Sequence, residues 1–148
     1  TMKHALAITT GSDGYAIAPY GVLGKIKANP RSYGPFPRLL GRFVRERNIL
    51  SLEEAIRKIT SLPAQRLGLW DRGLIREGMW ADITIFNPRT IIDKSTYVQP
   101  HQYPEGIEYV LVNGVKVIDR GEHTGALPGM TLRFKSTRKT RPAATSRL

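Results

Sequence analysis

The sequence predicts a mixed α/β chain, with a short strand, a long loop and helices in its first half and a small antiparallel β unit after them. Three observations predict it. Residues 51–59 carry a Ser-capped segment with apolar side chains at helical spacing, the period turns to alternation beyond residue 73, and an Asn-Gly pair at 113–114 joins two β-branched runs.

Residues 5–10 (ALAITT) are apolar and β-branched and run into Gly11-Ser-Asp-Gly14, which reads as a buried strand that stops abruptly. Residues 15–37 hold Pro19, Gly21, Gly24, Pro30, Gly34 and Pro35, so a long structured loop is expected there, and loops of that length in compact domains usually carry function. Leu39, Leu40, Phe43 and Val44 then mark a short helix, with Arg38, Arg42, Arg45 and Arg47 mostly off its apolar side. Ser51-Leu-Glu-Glu54 reads as a capping box, the hydroxyl accepting from the third amide while Glu54 reaches back. Leu52, Ala55, Ile56 and Ile59 make one buried face. A second helical turn begins at Thr60 or Ser61, with Pro63 where its missing amide costs nothing, and Gly68 ends it.

Ala81–Phe86 alternates as a strand closed by Asn87-Pro88, and the runs 109–112 and 115–118 flank Asn113-Gly114 as a hairpin. Trp70, Trp80 and the Leu/Ile stripe are expected in the core. A lone strand with two or three helices leaves strand edges unpaired and faces unburied, which marks residues 1–70 as part of something larger.

Composition narrows the function classes. The chain has 148 residues, 41% hydrophobic and 8% aromatic, enough for a core. No cysteine is present, which excludes disulfide scaffolds, Cys-type zinc fingers and thiol nucleophiles. Residues 1–10 lack the apolar core and cleavage site of a signal peptide, and no apolar run approaches the roughly 18 residues of a membrane span, so a cytoplasmic protein without membrane contact is expected. The net charge of +11 is uneven: residues 133–148 carry six basic and no acidic side chains, leaving +5 for residues 1–132. The tail is read as a disordered basic appendage. With one aromatic residue and no basic-aromatic repeat, it is not expected to bind nucleic acid, and a non-catalytic module binding polyanions through it stands only as an alternative.

The order of six segments carries a resemblance: Gly11-Ser-Asp-Gly14 after a strand, Asn29-Pro-Arg-Ser-Tyr-Gly34, Ser51-Leu-Glu-Glu-Ala-Ile-Arg-Lys58, Thr60-Ser-Leu-Pro-Ala-Gln-Arg-Leu-Gly68, Gly73-Leu-Ile-Arg-Glu-Gly-Met-Trp-Ala-Asp82 and His101–Gly114. Over residues 2–132 the chain resembles the C-terminal part of N-acyl-D-amino-acid deacylases (D-aminoacylases), metal-dependent amidohydrolases. The resemblance implies the end of a TIM barrel over residues 1–70, its last strand at 5–10, then a portion of a small β-sandwich over 71–132 and the tail at 133–148. In that family the aspartate matching Asp13 ends the last strand, where barrel enzymes keep their chemistry. It faces the zinc site as a ligand and acts as general base and acid, taking a proton from metal-bound water and passing it to the leaving amine. The arginine matching Arg31 binds the substrate α-carboxylate, for which a planar guanidinium is suited, and Tyr33 and Tyr15 are expected along the substrate pocket.

By local sequence alone, Asp13 between glycines is a turn former and Arg31 a solvated loop arginine. Asn29 stands where the family usually has His, a departure that bears on a proton-transfer or supporting role at that position and not on Arg31. His4, His101 and His123 are not at ligand spacing and are read as loop histidines, and Glu105 and Glu108 are assigned no chemistry. The family's His-x-His pair, its Cys ligand and its further His ligands are absent from these 148 residues. Asp13 is therefore the one metal-side residue of a site for one or two zinc ions, and the chain is expected to need an N-terminal barrel segment as partner to hydrolyse N-acyl-D-amino acids. A cyclic-amide amidohydrolase of the hydantoinase or dihydroorotase kind is the nearer alternative, disfavoured by the Arg31 segment, which answers to a free carboxylate, and by the His101–Gly106 stretch.

Overall fold

The computed structural model describes Lys3 and residues 11–133, so the strand expected at 5–10 and the tail beyond Arg133 lie outside the described residues. Two single 3-10 turns (Leu23–Lys25 and Pro30–Ser32) precede α1 (Pro35–Arg38), which runs directly into a π-helical segment (Leu39–Glu46). Helices α2 (Leu52–Ile59) and α3 (Ser61–Arg66) follow, then β1 (Ile83–Phe86), β2 (Ile107–Val112), β3 (Val115–Asp119) and β4 (Glu122–His123). The four strands form one antiparallel sheet in the order β1-β2-β3-β4.

Each start and stop has a local cause. Pro30 and Pro35 sit at the first positions of their turns, where a missing N–H leaves no gap, and the Asn29 side chain accepts from the Arg31 amide at 3.1 Å. The helix expected around Leu39–Val44 is present but widened, with the Arg47 amide donating five residues back to the Arg42 carbonyl at 3.0 Å. Ser51 caps α2, its hydroxyl accepting from the Glu54 amide at 3.2 Å. Glu54 does not reach back as a capping box requires. Its carboxylate is taken by Arg57 through two bonds of 2.7 and 2.8 Å and by Lys58 at 3.5 Å, and the Arg57 hydrogen bonds hold it near pKa 2. Gly68 ends α3 at φ +71°, with its own amide and that of Leu69 donating back to Gln65 and Ala64 at 3.1 and 2.8 Å. Asn113 and Gly114 both take positive φ (49° and 81°), the geometry a two-residue hairpin requires.

Leu39, Leu40, Ala55 and Ile91 are buried together, and Phe43, Leu52, Ile56, Ile59, Phe86 and Ile107 pack around them, so the core joins the helices to β1 and the start of β2. Ile91 is its hub, because glycines let backbone approach from two sides. A Cβ on Gly41 would lie 2.5 Å from the Ile91 carbonyl oxygen, and one on Gly106 (φ +84°) would lie 2.6 Å from the Ile91 nitrogen. The Ile92–Glu105 bridge pairs this segment with the approach to β2. The tryptophans depart from expectation: Trp70 is 74% exposed, and Trp80 is partly open with Arg72 over its ring at 5.2 Å. They lie within a turn-rich stretch, 68–82, that is held together by polar contacts instead. Arg72 bonds both Asp82 and the Asn113 side chain, and Asp82 accepts from the Asn113 amide.

Candidate functional site

Asp13 stands at φ +48°, a left-handed conformation that aspartate tolerates better than most residues. The chain then passes so close to the Asn29–Gly34 turn that a Cβ on Gly14 would meet the Arg31 carbonyl oxygen at 2.6 Å and the Ser32 Cα at 2.9 Å. The Tyr15 amide donates to the Ser32 hydroxyl at 3.3 Å. Seated in this way, Asp13 pairs with Arg31, Nη2 to Oδ2, at 3.0 Å, although 18 positions separate them. The side chains are 84% and 47% exposed, so the pair contributes about 0–1 kcal/mol to stability. Both groups are therefore free to exchange partners at little cost.

Tyr33, two residues on, is 9% exposed, and its hydroxyl has no hydrogen-bond partner among the described residues. Its ring meets Tyr103 edge-on at 6.3 Å and His101 at 5.7 Å. Burial, with Tyr20 and Tyr33 nearby, pushes the Tyr103 phenol up. The His101 Nε2 bonds the Ile26 carbonyl at 2.8 Å, His123 Nδ1 accepts from the Gly125 amide at 2.9 Å, and His4 lies outside the described residues. Both described histidines thus work as loop fasteners. Glu105 pairs with Lys94 at 2.9 Å, and Tyr15 is exposed. Asn29, in place of the family's His, is the cap of the Arg31 turn.

A cleft of about 1190 Å³ separates the helices from the sheet. Arg31, Ser32, Tyr33 and Tyr15 form part of its lining, and Leu40, Ile56, Ile83 and Val110 give it apolar walls. The described residues do not build a metal site. No group of three or more His, Cys, Asp or Glu among them is placed to hold an ion, and the Asp13 carboxylate faces a guanidinium. No described helix is long and apolar enough to cross a membrane.

One residue was not singled out by the sequence. Asp93 is 3% exposed at its side chain, taken by Arg38 through Nε at 2.7 Å and Nη2 at 2.5 Å, with Arg42 Nε 3.6 Å from its other oxygen. A lone acid after the apolar pair Ile91-Ile92 was its only signal.

The chain matches the amidohydrolase family over residues 1–118. It is 44% identical over 125 residues to an N-acyl-D-aspartate deacylase and 45% identical over 105 residues to an N-acyl-D-glutamate deacylase, both of Alcaligenes xylosoxydans xylosoxydans. Those matches cover 84% and 71% of this chain but only 24% and 21% of the relatives, so the chain spans about a quarter of their length or less. It also resembles the crystal structure of N-acyl-D-glutamate deacylase from Bordetella bronchiseptica, complexed with zinc and a phosphonate inhibitor that mimics the tetrahedral intermediate. The TM-score is 0.66 at 40% identity, over 74% of this chain and 22% of that one. Its small antiparallel sheet accords with that likeness, and the match over residues 1–118 places the chain in the amidohydrolase family.

Proposed function

We propose that the chain is the C-terminal part of a zinc-dependent N-acyl-D-amino-acid deacylase, in which Asp13 is the general base and acid and Arg31 grips the substrate carboxylate. The juxtaposition of the two side chains at 3.0 Å carries this reading. Deacylation of a substrate with a free α-carboxylate needs an anion grip a few ångströms from a proton acceptor, and the Gly14 contact with Arg31 brings them together. An entering carboxylate takes Arg31 through two parallel N–H donors and leaves Asp13 without its partner. Asp13 accepts the proton of the attacking water and returns it to the nitrogen as the amide C–N bond breaks, yielding a carboxylic acid product and the free D-amino acid. Tyr33 and Tyr15 stand along the cleft for the side chain or acyl group.

In this reading residues 1–70 are the end of a TIM barrel, 71–132 a share of a β-sandwich and 133–148 a basic tail outside both. The remaining zinc ligands belong to polypeptide beyond the described residues, since Asp13 alone among these is a metal-side candidate. The likeness to a zinc-bound N-acyl-D-glutamate deacylase supports both zinc and a small acidic N-acyl substrate.

The test supplies the missing barrel portion of a relative in trans, adds zinc, and follows release of D-glutamate from N-acetyl-D-glutamate. Release is expected from this substrate and not from its α-amide, which offers Arg31 no carboxylate. Equal turnover of a hydantoin, or no release while the complex forms, overturns the assignment.

A further inference from the structure

We propose that Asp93 is the positioning residue for Arg31, fixing the Asn29–Gly34 turn from below through Gly34 and Arg38. Arg31's role as the carboxylate grip rests on the proposed function, but the mechanical coupling stands on geometry alone. Gly34 has no room for a side chain because Asp93 Cβ occupies the place, 2.5 Å from where a Cβ would stand. The Gly34 carbonyl accepts from the Arg38 amide at 2.9 Å, the first bond of α1, and Arg38 turns its guanidinium onto the Asp93 carboxylate. Asp93 therefore holds the first turn of α1 at both ends. Gly34 in turn donates to the Pro30 carbonyl at 3.3 Å and Tyr33 donates to the same oxygen at 3.0 Å, which closes the turn around Arg31. Because Gly14 packs on the Arg31 backbone, a shift of this turn carries Asp13 with it.

Among the described residues Asp93 Oδ1 has no hydrogen bond and lies 3.6 Å from the Arg42 guanidinium. Arg38 and Arg42 are about half exposed and rehydrate if the carboxylate is neutralised, so Asp93→Asn removes the grip with little change in volume.

The test has two arms. In the 148-residue chain, Asp93→Asn is expected to move the amide resonances of Gly14, Arg31, Ser32 and Tyr33 while those of Asn113 and Gly114 stay in place. Unmoved Arg31–Tyr33 amides overturn the proposal. In the reconstituted deacylase, KM for N-acetyl-D-glutamate is expected to rise about tenfold or more with kcat within about threefold, as for a displaced anion grip. An unchanged KM overturns it. Should Asp93→Asn fail to fold, Arg38→Lys, which keeps the charge and loses the fork, is expected to show the same KM-directed change in milder form; no change refutes the coupling. A wild-type complex without deacylation refutes the proposed function and leaves the amide shifts to decide the coupling.

Discussion

Gly106→Ala tests how tightly the site is built around Ile91. At φ +84° an alanine is strained by about 1–2 kcal/mol, the cost of left-handed backbone for a residue with a Cβ. The added methyl would also lie 2.6 Å from the Ile91 nitrogen, 2.7 Å from its Cα and 3.0 Å from the Thr90 carbonyl carbon. All three are backbone atoms, so the clash is relieved only by moving the 90–93 segment, an overpacking cost of about 1–3 kcal/mol. Together these give about 2–5 kcal/mol, a large part of the stability of an ordinary domain, and at about 4 °C per kcal/mol a fall of about 8–20 °C in Tm. Gly114 separates the two contributions. Its φ is +81° but nothing lies within 4 Å of its Cβ position, so Gly114→Ala carries the strain without the clash and is expected to lose about 4–8 °C. Thermal unfolding followed by far-UV circular dichroism reads both. If Gly106→Ala melts no lower than Gly114→Ala, the close approach of Ile91 is wrong, and with it the seat of Asp93.

Other consequences follow from single contacts. Arg72→Ala removes the bonds to Asp82 and Asn113 and the contact with Trp80, and is expected to cost about 2–4 kcal/mol, read as a lower urea midpoint at unchanged m. The Glu54 carboxyl lies near 2 in the folded chain against an ordinary 4.5, so its contribution is present above pH 4.5 and is lost as pH falls toward 2; Glu54→Gln is expected to flatten that part of the stability profile, and an unchanged profile contradicts the pairing with Arg57. Tyr33→Phe removes a buried hydroxyl that has no partner among the described residues, so stability is expected to hold or rise by about 1 kcal/mol; a loss above that shows that the hydroxyl is satisfied in solution.

Local signals in the sequence are legible where one residue dictates one geometry. Asn113-Gly114 makes the hairpin, Ser51 caps α2, and Gly68 closes α3, each because no neighbour competes for the same backbone groups. The Ser51–Glu54 pattern predicts a capping box, but Arg57 and Lys58 lie one turn ahead and win the Glu54 carboxylate. The widening of the helix at Leu39–Glu46 has no local signal, and there Gly41 lies against Ile91 and Ile92, about fifty positions away. Hydrophobicity alone puts Trp70 and Trp80 inside, whereas the 68–82 stretch is held by the contacts of Arg72 with Asp82 and Asn113. At the site, the motif order points to Asp13 and Arg31, yet what joins them is Gly14, whose missing side chain admits the Arg31 backbone. Asp93 escaped notice because its meaning depends on three partners from a different part of the chain, Gly34, Arg38 and Arg42.

The division of labour between Asp13 and Arg31 is tested most directly by kcat and KM measured separately for Asp13→Asn and Arg31→Lys in the reconstituted, zinc-loaded enzyme with N-acetyl-D-glutamate. Loss of the base is expected to lower kcat by about 10²–10⁴-fold with KM little changed. Loss of the fork is expected to raise KM by about 10–100-fold with kcat little changed. Full kcat in Asp13→Asn, or a KM untouched by Arg31→Lys, would contradict the assignment of the pair.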